Sequence, residues 1–106
     1  MSILEKYGYF DTLLSLAIVA SGINVKDDIM YDSEDNELAW EDMEYISFNN
    51  SIPYSDGHLD GLLIFGDGTI EFHERDSEEA FNWVDFPIET IKQVIDRLKD
   101  KIDNPN

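Results

Sequence analysis

The chain contains no cysteine, which excludes disulfides, thiol catalysis and thiolate zinc sites. Basic residues are scarce: 7 Lys and Arg stand against 24 Asp and Glu, a formal charge of −17. A surface of that sign repels phosphate and anionic lipid head groups, so neither direct nucleic-acid binding nor membrane-surface binding is expected. No internal repeat or low-complexity tract appears. No Gly-rich phosphate loop, nucleophile elbow or HExxH is present, so no cofactor and no enzymatic activity are expected. Carboxylates are so abundant that no pair stands out, which leaves a glycosidase reading without specificity.

Long apolar runs are also missing. Leu13 to Ala20 is apolar but too short to span a bilayer. Glu5 and Asp11 against Lys6 give the wrong charge upstream for a signal sequence, and a buried helix is expected instead. A cytoplasmic location follows by default.

What is present suffices for a core. The 106 residues are 42% apolar and include 6 Phe, 5 Tyr and 2 Trp. Disordered acidic tails are poor in aromatics, so residues 1–106 are expected to fold as a single acidic domain. Ile3, Tyr7, Phe10, Leu14, Ala17 and Ile18 recur at helical spacing, with Gly8 as a break, Asp11 as a second cap and Gly22 as the terminator. Ile29 to Tyr31 reads as a short strand. Leu38, Ala39, Trp40 and Met43 fit a helix or a strand equally. Tyr45 to Asn49 reads as a strand and Asn50 to Gly57 as a loop.

Leu62 to Gly66 and Thr69 to His73 flank Asp67-Gly68, the pattern of a two-residue hairpin. That turn would pair Phe65 with Ile70 and Leu63 with Phe72 on one face. Leu62, Ile64, Glu71 and His73 would share the other. Asp76 to Glu79 reads as a turn and Ala80 to Phe86 as a strand. Ile88, Ile91, Val94, Ile95, Leu98 and Ile102 stripe a final helix that begins near Pro87, with Asp103 to Asn106 a tail. The fold class is α+β: an antiparallel three- to four-stranded β-meander with an N-terminal and a C-terminal helix packed on one face.

The strongest functional signal is charge segregation. From Asp27 to Glu74 there are fourteen acids and no base, and nine of those acids fall between Asp27 and Glu44. Such a segment can steer toward and mask a basic partner, the compositional logic of nuclease inhibitors, immunity proteins and nucleic-acid mimics. A merely solubilising surface on an accessory or oligomerising domain, including a homodimer, is the competing reading. Asp32, Glu34, Asp35, Glu37, Trp40, Glu41 and Asp42 form the candidate partner-binding set. The acids would supply encounter rate and Trp40 an aromatic anchor. A large apolar residue ordinarily packs inside, so Trp40 as a core residue stands beside that reading.

Two weaker constellations involve histidine. Asp56, His58 and Asp60 would project to one side of an extended segment as metal ligands, although Gly57 signals a turn. His73, near Glu71 and Glu74, has the chemistry of an acid–base group. Residues Asp32 to Asn36 resemble a calcium loop, but Glu37 stands where the glycine belongs and Met43 where the closing glutamate belongs.

Self-repulsion at this net charge makes stability salt-dependent. The melting temperature is expected to rise between low and moderate NaCl, as followed by circular dichroism; a fall would contradict the prediction.

Overall fold

The computed structural model describes residues 3–77 and 79–105, with the side chains of Ile3 and Leu4 outside the description. Helices α1 (Ile3–Tyr7) and α2 (Phe10–Ser21) are followed by a small hairpin of β1 (Asn24–Lys26) and β2 (Ile29–Tyr31). An antiparallel meander then runs through β3 (Met43–Tyr54), β4 (Gly57–Phe65), β5 (Ile70–Glu74) and β6 (Ala80–Asn82), in spatial order β3-β4-β5-β6. A 3-10 turn (Trp83–Asp85) leads into α3 (Ile88–Asp103). This is the expected α+β class, with a four-stranded meander and a further two-stranded sheet.

The core lies between one face of the large sheet and the helices. Ile46, Phe48, Ile52, Leu59, Leu62, Ile64, Ile70 and Phe72 meet Leu13, Ala17, Ile91, Val94, Ile95 and Leu98 there. Each buried side chain of this size contributes roughly 1.5–3 kcal/mol before entropy is counted. The α3 stripe is inward as its periodicity predicts, with Ile102 half-buried at its end. Gly22 terminates α2 in the left-handed conformation (φ 79°), and the Ile23 amide bonds back to the Ile18 carbonyl at 3.2 Å. That is the expected Schellman closure.

Several expectations need correction. The α1–α2 break does fall at Gly8-Tyr9, but Tyr9 rather than Asp11 is the cap residue, and Asp11 lies in the first turn of α2. Helix α2 is less buried than expected: Leu13 and Ala17 are buried, but Val19 is 61% exposed. The segment Leu38 to Trp40 is neither helix nor strand. Of the expected Asn50 to Gly57 loop only Ser55-Asp56 is a turn; the rest is the end of β3 and the start of β4. The irregular stretch between Ser47 and Ile52 lets β3 continue through Pro53, which an edge strand tolerates because a missing amide there need not break a ladder.

Ala80 to Phe86 is a strand only as far as Asn82, whose side chain accepts the Val84 amide at 3.2 Å and starts the 3-10 turn. Pro87 sits at the N-cap of α3, one residue before its first turn. The helix extends through Asp103. The Asn49 side chain ties its end down, donating to Asp100 Oδ2 and to the Asn104 carbonyl, both at 2.9 Å. Within the expected Asp76–Glu79 turn and the expected tail, Glu78 and Asn106 lie outside the described residues.

The correction with the largest consequence is the β4–β5 register. Ile64 pairs with Ile70, Leu63 with Glu71 and Leu62 with Phe72. The loop is three residues, not two: the Gly68 amide bonds to the Phe65 carbonyl and the Phe65 amide to the Thr69 carbonyl, both at 2.9 Å, with Gly68 at φ 87°. This is a type I turn followed by a left-handed glycine. The extra residue flips the faces relative to the two-residue expectation. Leu62, Ile64, Ile70 and Phe72 point into the core; Leu63, Phe65, Glu71 and His73 lie on the opposite face.

Gly66, in that loop, has no room for a side chain. A Cβ there would collide with the Ala39 carbonyl oxygen and lie 2.6 Å from that of Leu38. Gly66→Ala is expected to cost about 1–3 kcal/mol, the usual range for overpacking. It should also displace residues 38–42, read as a lower midpoint in chemical denaturation with a changed Trp40 emission. An unchanged midpoint would refute the close packing of these two segments.

Candidate functional site

Residues Ala39 to Asp42 form a turn closed from both sides by Asp42. Its backbone amide bonds to the Ala39 carbonyl at 3.0 Å, and its carboxylate accepts the Ala39 amide at 2.9 Å. The Asp42 carbonyl in turn accepts the Gly66 amide at 2.9 Å. The turn is thus fastened to the tip of the β4–β5 hairpin, and Trp40 is carried outward at its apex. Trp40 is 74% exposed, whereas the other tryptophan, Trp83, is 5% exposed and stacked on Phe10. Of the two readings of Trp40, the core residue is therefore excluded by its exposure.

Trp40 does not stand alone. With Phe65 and Thr69 it lines an open recess of about 290 Å³ walled by Glu41, Asp67 and Glu71. Neither Lys nor Arg lines it. Sequence reasoning did not assign Phe65, Asp67, Thr69 and Glu71 to the site. They arrive with the three-residue loop, which turns Phe65 and Glu71 away from the core. Asp67 is held in place because its side chain accepts the Thr69 amide at 2.8 Å.

The other candidate residues lie on the adjoining loop after β2. Asp32 is chiefly architectural: its carboxylate accepts the Glu34 and Asn36 amides, both at 2.9 Å, and Asp35 closes the turn at φ 65°. Glu34, Asp35 and Glu37 are exposed, and Glu37 forms a single bridge with Tyr31. Among the described residues no Lys or Arg side-chain nitrogen lies within 4.0 Å of a carboxylate oxygen of Asp32, Glu34, Asp35, Glu37, Glu41 or Asp42; Arg75 pairs with Asp76, and His73 meets Asp60. Two of the α3 bases turn elsewhere. Arg97 donates to the Asn50 and Ser51 carbonyls, and Lys92 lies over the Tyr9 ring.

The expected Asp56, His58, Asp60 line is broken by a bulge between Leu59 and Gly61. A bulge re-aims the extra residue. Asp60 accepts the Tyr45 hydroxyl at 3.1 Å and lies 2.8 Å from His73 Nδ1. With the carboxylate as acceptor, Nδ1 carries the imidazole proton. His58 Nδ1 instead faces the Arg75 guanidinium at 3.4 Å. Among the described residues no group of three or more His, Asp or Glu is arranged to hold a metal ion. Burial, then the adjacent Asp60 carboxylate, pushes the Tyr45 phenol up to about 12. Gly61 makes space for that ring, since a Cβ there would sit 2.5 Å from the Tyr45 hydroxyl.

The loop hydrogen bonds lower the pKa of two acids below 3.8, Asp32 chiefly through the Asn36 amide and Asp67 chiefly through Thr69. A folded-state pKa below the unfolded one contributes stability that is present above the unfolded value and lost as pH falls through the folded one. Carboxyl ¹³C titration is expected to place both midpoints below 3.8, and Asp67→Asn to remove the Asp67 share of acid destabilisation. Midpoints at or above the usual aspartate value would contradict this. Comparison with protein-family models, with curated proteins and with solved structures finds no match for this chain.

Proposed function

We propose that this protein is a non-enzymatic acidic binding protein that masks a basic surface of a partner protein, of the inhibitor, immunity or nucleic-acid-mimic type. The observation that carries this reading is the 74% exposure of Trp40 beside Glu41, Asp67 and Glu71, with no base in the recess. Solvation of a tryptophan that could have been buried forfeits apolar free energy, which a partner's surface would recover. The surrounding acids speed encounter with a positive surface and disfavour a negative one. The proposed partner is a nuclease, a toxin or a nucleic-acid-binding factor, and the proposed location is the cytoplasm. No helix of the described residues is long and apolar enough to cross a membrane.

A second reading draws on the outer sheet face. Met43 and Tyr45 are exposed there beside Leu63 and Phe65, a surface on which a homodimer could form. Two copies each carrying −17 would have to approach through it, which places this second. Leu62 and Ile64, on the other face of β4, are fully buried in the core and take no part in that surface.

The test is titration with an arginine-rich peptide, followed by fluorescence at low and high salt. Binding is expected to change Trp40 emission and to weaken as salt rises. Trp40→Ala should weaken affinity by about 2 kcal/mol, the scale of an interface anchor. Reversal of Glu41, Asp67 and Glu71 to Lys should abolish binding. Equal affinity in the wild type and both variants would overturn the proposal, and a salt-insensitive dimer by light scattering would favour the second reading.

A further inference from the structure

A second concavity lies at the opposite end of the sheet, where the β3–β4 turn meets β6 and the start of α3. Along β4 it is roughly 25 Å from the Trp40 recess, at about 3.3 Å per residue. It measures about 470 Å³ and is partly open to solvent, and its lining includes Tyr54, Phe81 and Phe86 with Glu74, Glu79 and Asp85. That volume is within the range of small-molecule sites. The aromatic part is built from the core outward. Phe72 packs on Phe86 with ring centroids 5.0 Å apart, and Tyr54 meets Phe86 edge-on at 5.6 Å. Phe86 is 5% exposed and forms the floor; Phe81, 38% exposed, forms a wall.

The carboxylates are placed too. Glu74 Oε1 lies over Gly57, 3.0 Å from where a Cβ would sit. Glu74 also acts on the Tyr54 phenol, whose pKa is raised first by burial and then by that carboxylate. No Lys or Arg lines the cavity; Arg75, next to Glu74 in sequence, reaches toward Ser51 and His58. A strongly hydrated metal ion needs converging oxygen ligands, and no such group occurs among the described residues. Aromatic faces combined with separated carboxylates suit a weakly hydrated organic cation instead.

The geometry points to a binding site for an organic cation, a quaternary ammonium or guanidinium head on an apolar stem, between Tyr54, Phe81 and Phe86 with Glu74 and Glu79 as counter-charges. The cation lies against the rings, its stem on Phe86, and the carboxylates offset its charge. The site does not depend on Trp40 or on the masking role.

The experiment is ¹⁵N–¹H mapping with choline, with N-acetylargininamide, with the uncharged choline isostere 3,3-dimethylbutanol and with magnesium chloride. Saturable shifts centred on residues 54–57, 74 and 79–81 are expected with at least one of the two cations and not with the isostere. A preference for choline identifies a free small molecule as the source, and one for N-acetylargininamide a protein side chain. Phe81→Ala should weaken binding about two- to fivefold, the scale of one cation–π contact. Phe81→Leu, which keeps apolar bulk without a π face, should weaken it similarly while melting like the wild type. Trp40→Ala should leave it unchanged. Absence of saturation, equal shifts with the isostere, the same pattern with magnesium, or unaltered affinity in Phe81→Leu would overturn the assignment.

Discussion

The three-residue loop at Gly66–Gly68 fixes which side of β4 and β5 meets the helices, and the Trp40 recess follows from that choice. Because side chains alternate across a strand, one extra loop residue moves a whole set from one face to the other. Here it commits Leu62, Ile64, Ile70 and Phe72 to the core and leaves Phe65 and Glu71 outside. The same loop presents Gly66 to the Ala39–Asp42 turn, the only residue type that fits so close to two carbonyl oxygens. Core register and position of the exposed tryptophan are therefore one constraint.

The acidic surface is more differentiated than its composition implies. Asp32, Asp42 and Asp67 spend their carboxylates on backbone amides of tight turns. Such bonds replace the turn-stabilising role that glycine or asparagine often plays. Two more aspartates, Asp27 and Asp28, hold the β1–β2 turn in left-handed conformations. Glu34, Glu37 and Glu41 make no such closure and remain as exposed charge. The negative field is thus anchored on a scaffold that some of its own members build, so its geometry is defined and not carried on mobile side chains alone.

Both recesses combine aromatic rings with carboxylates and lack bases in their linings. They differ in construction. The Trp40 recess is open, and its main ring stands free of the core, as suits contact with a broad partner surface. The Tyr54–Phe86 cavity is continuous with the core through Phe72, as suits a small rigid group. Tyr45, Asp60 and His73 form a hydrogen-bonded cluster on the outer face between these ends of the sheet, made possible by the bulge at Asp60 and by Gly61.

The sequence alone determined the α+β class, the α3 stripe, the glycine stop of α2, the existence of a β4–β5 hairpin and the base-free middle of the chain. These are local signals: period, turn chemistry and charge need no long-range information. It could not determine the hairpin register, because Leu62 to Phe65 is apolar at every position and either alternation looks alike. Nor could it place Trp40, whose exposure depends on a turn docking against Gly66, or bring Glu41 beside Asp67 and Glu71. The bulge at Asp60 was equally hidden, because its cause is the pairing of three strands. Tertiary structure decided these points, since each is a contact between segments whose separation in sequence carries no periodic trace.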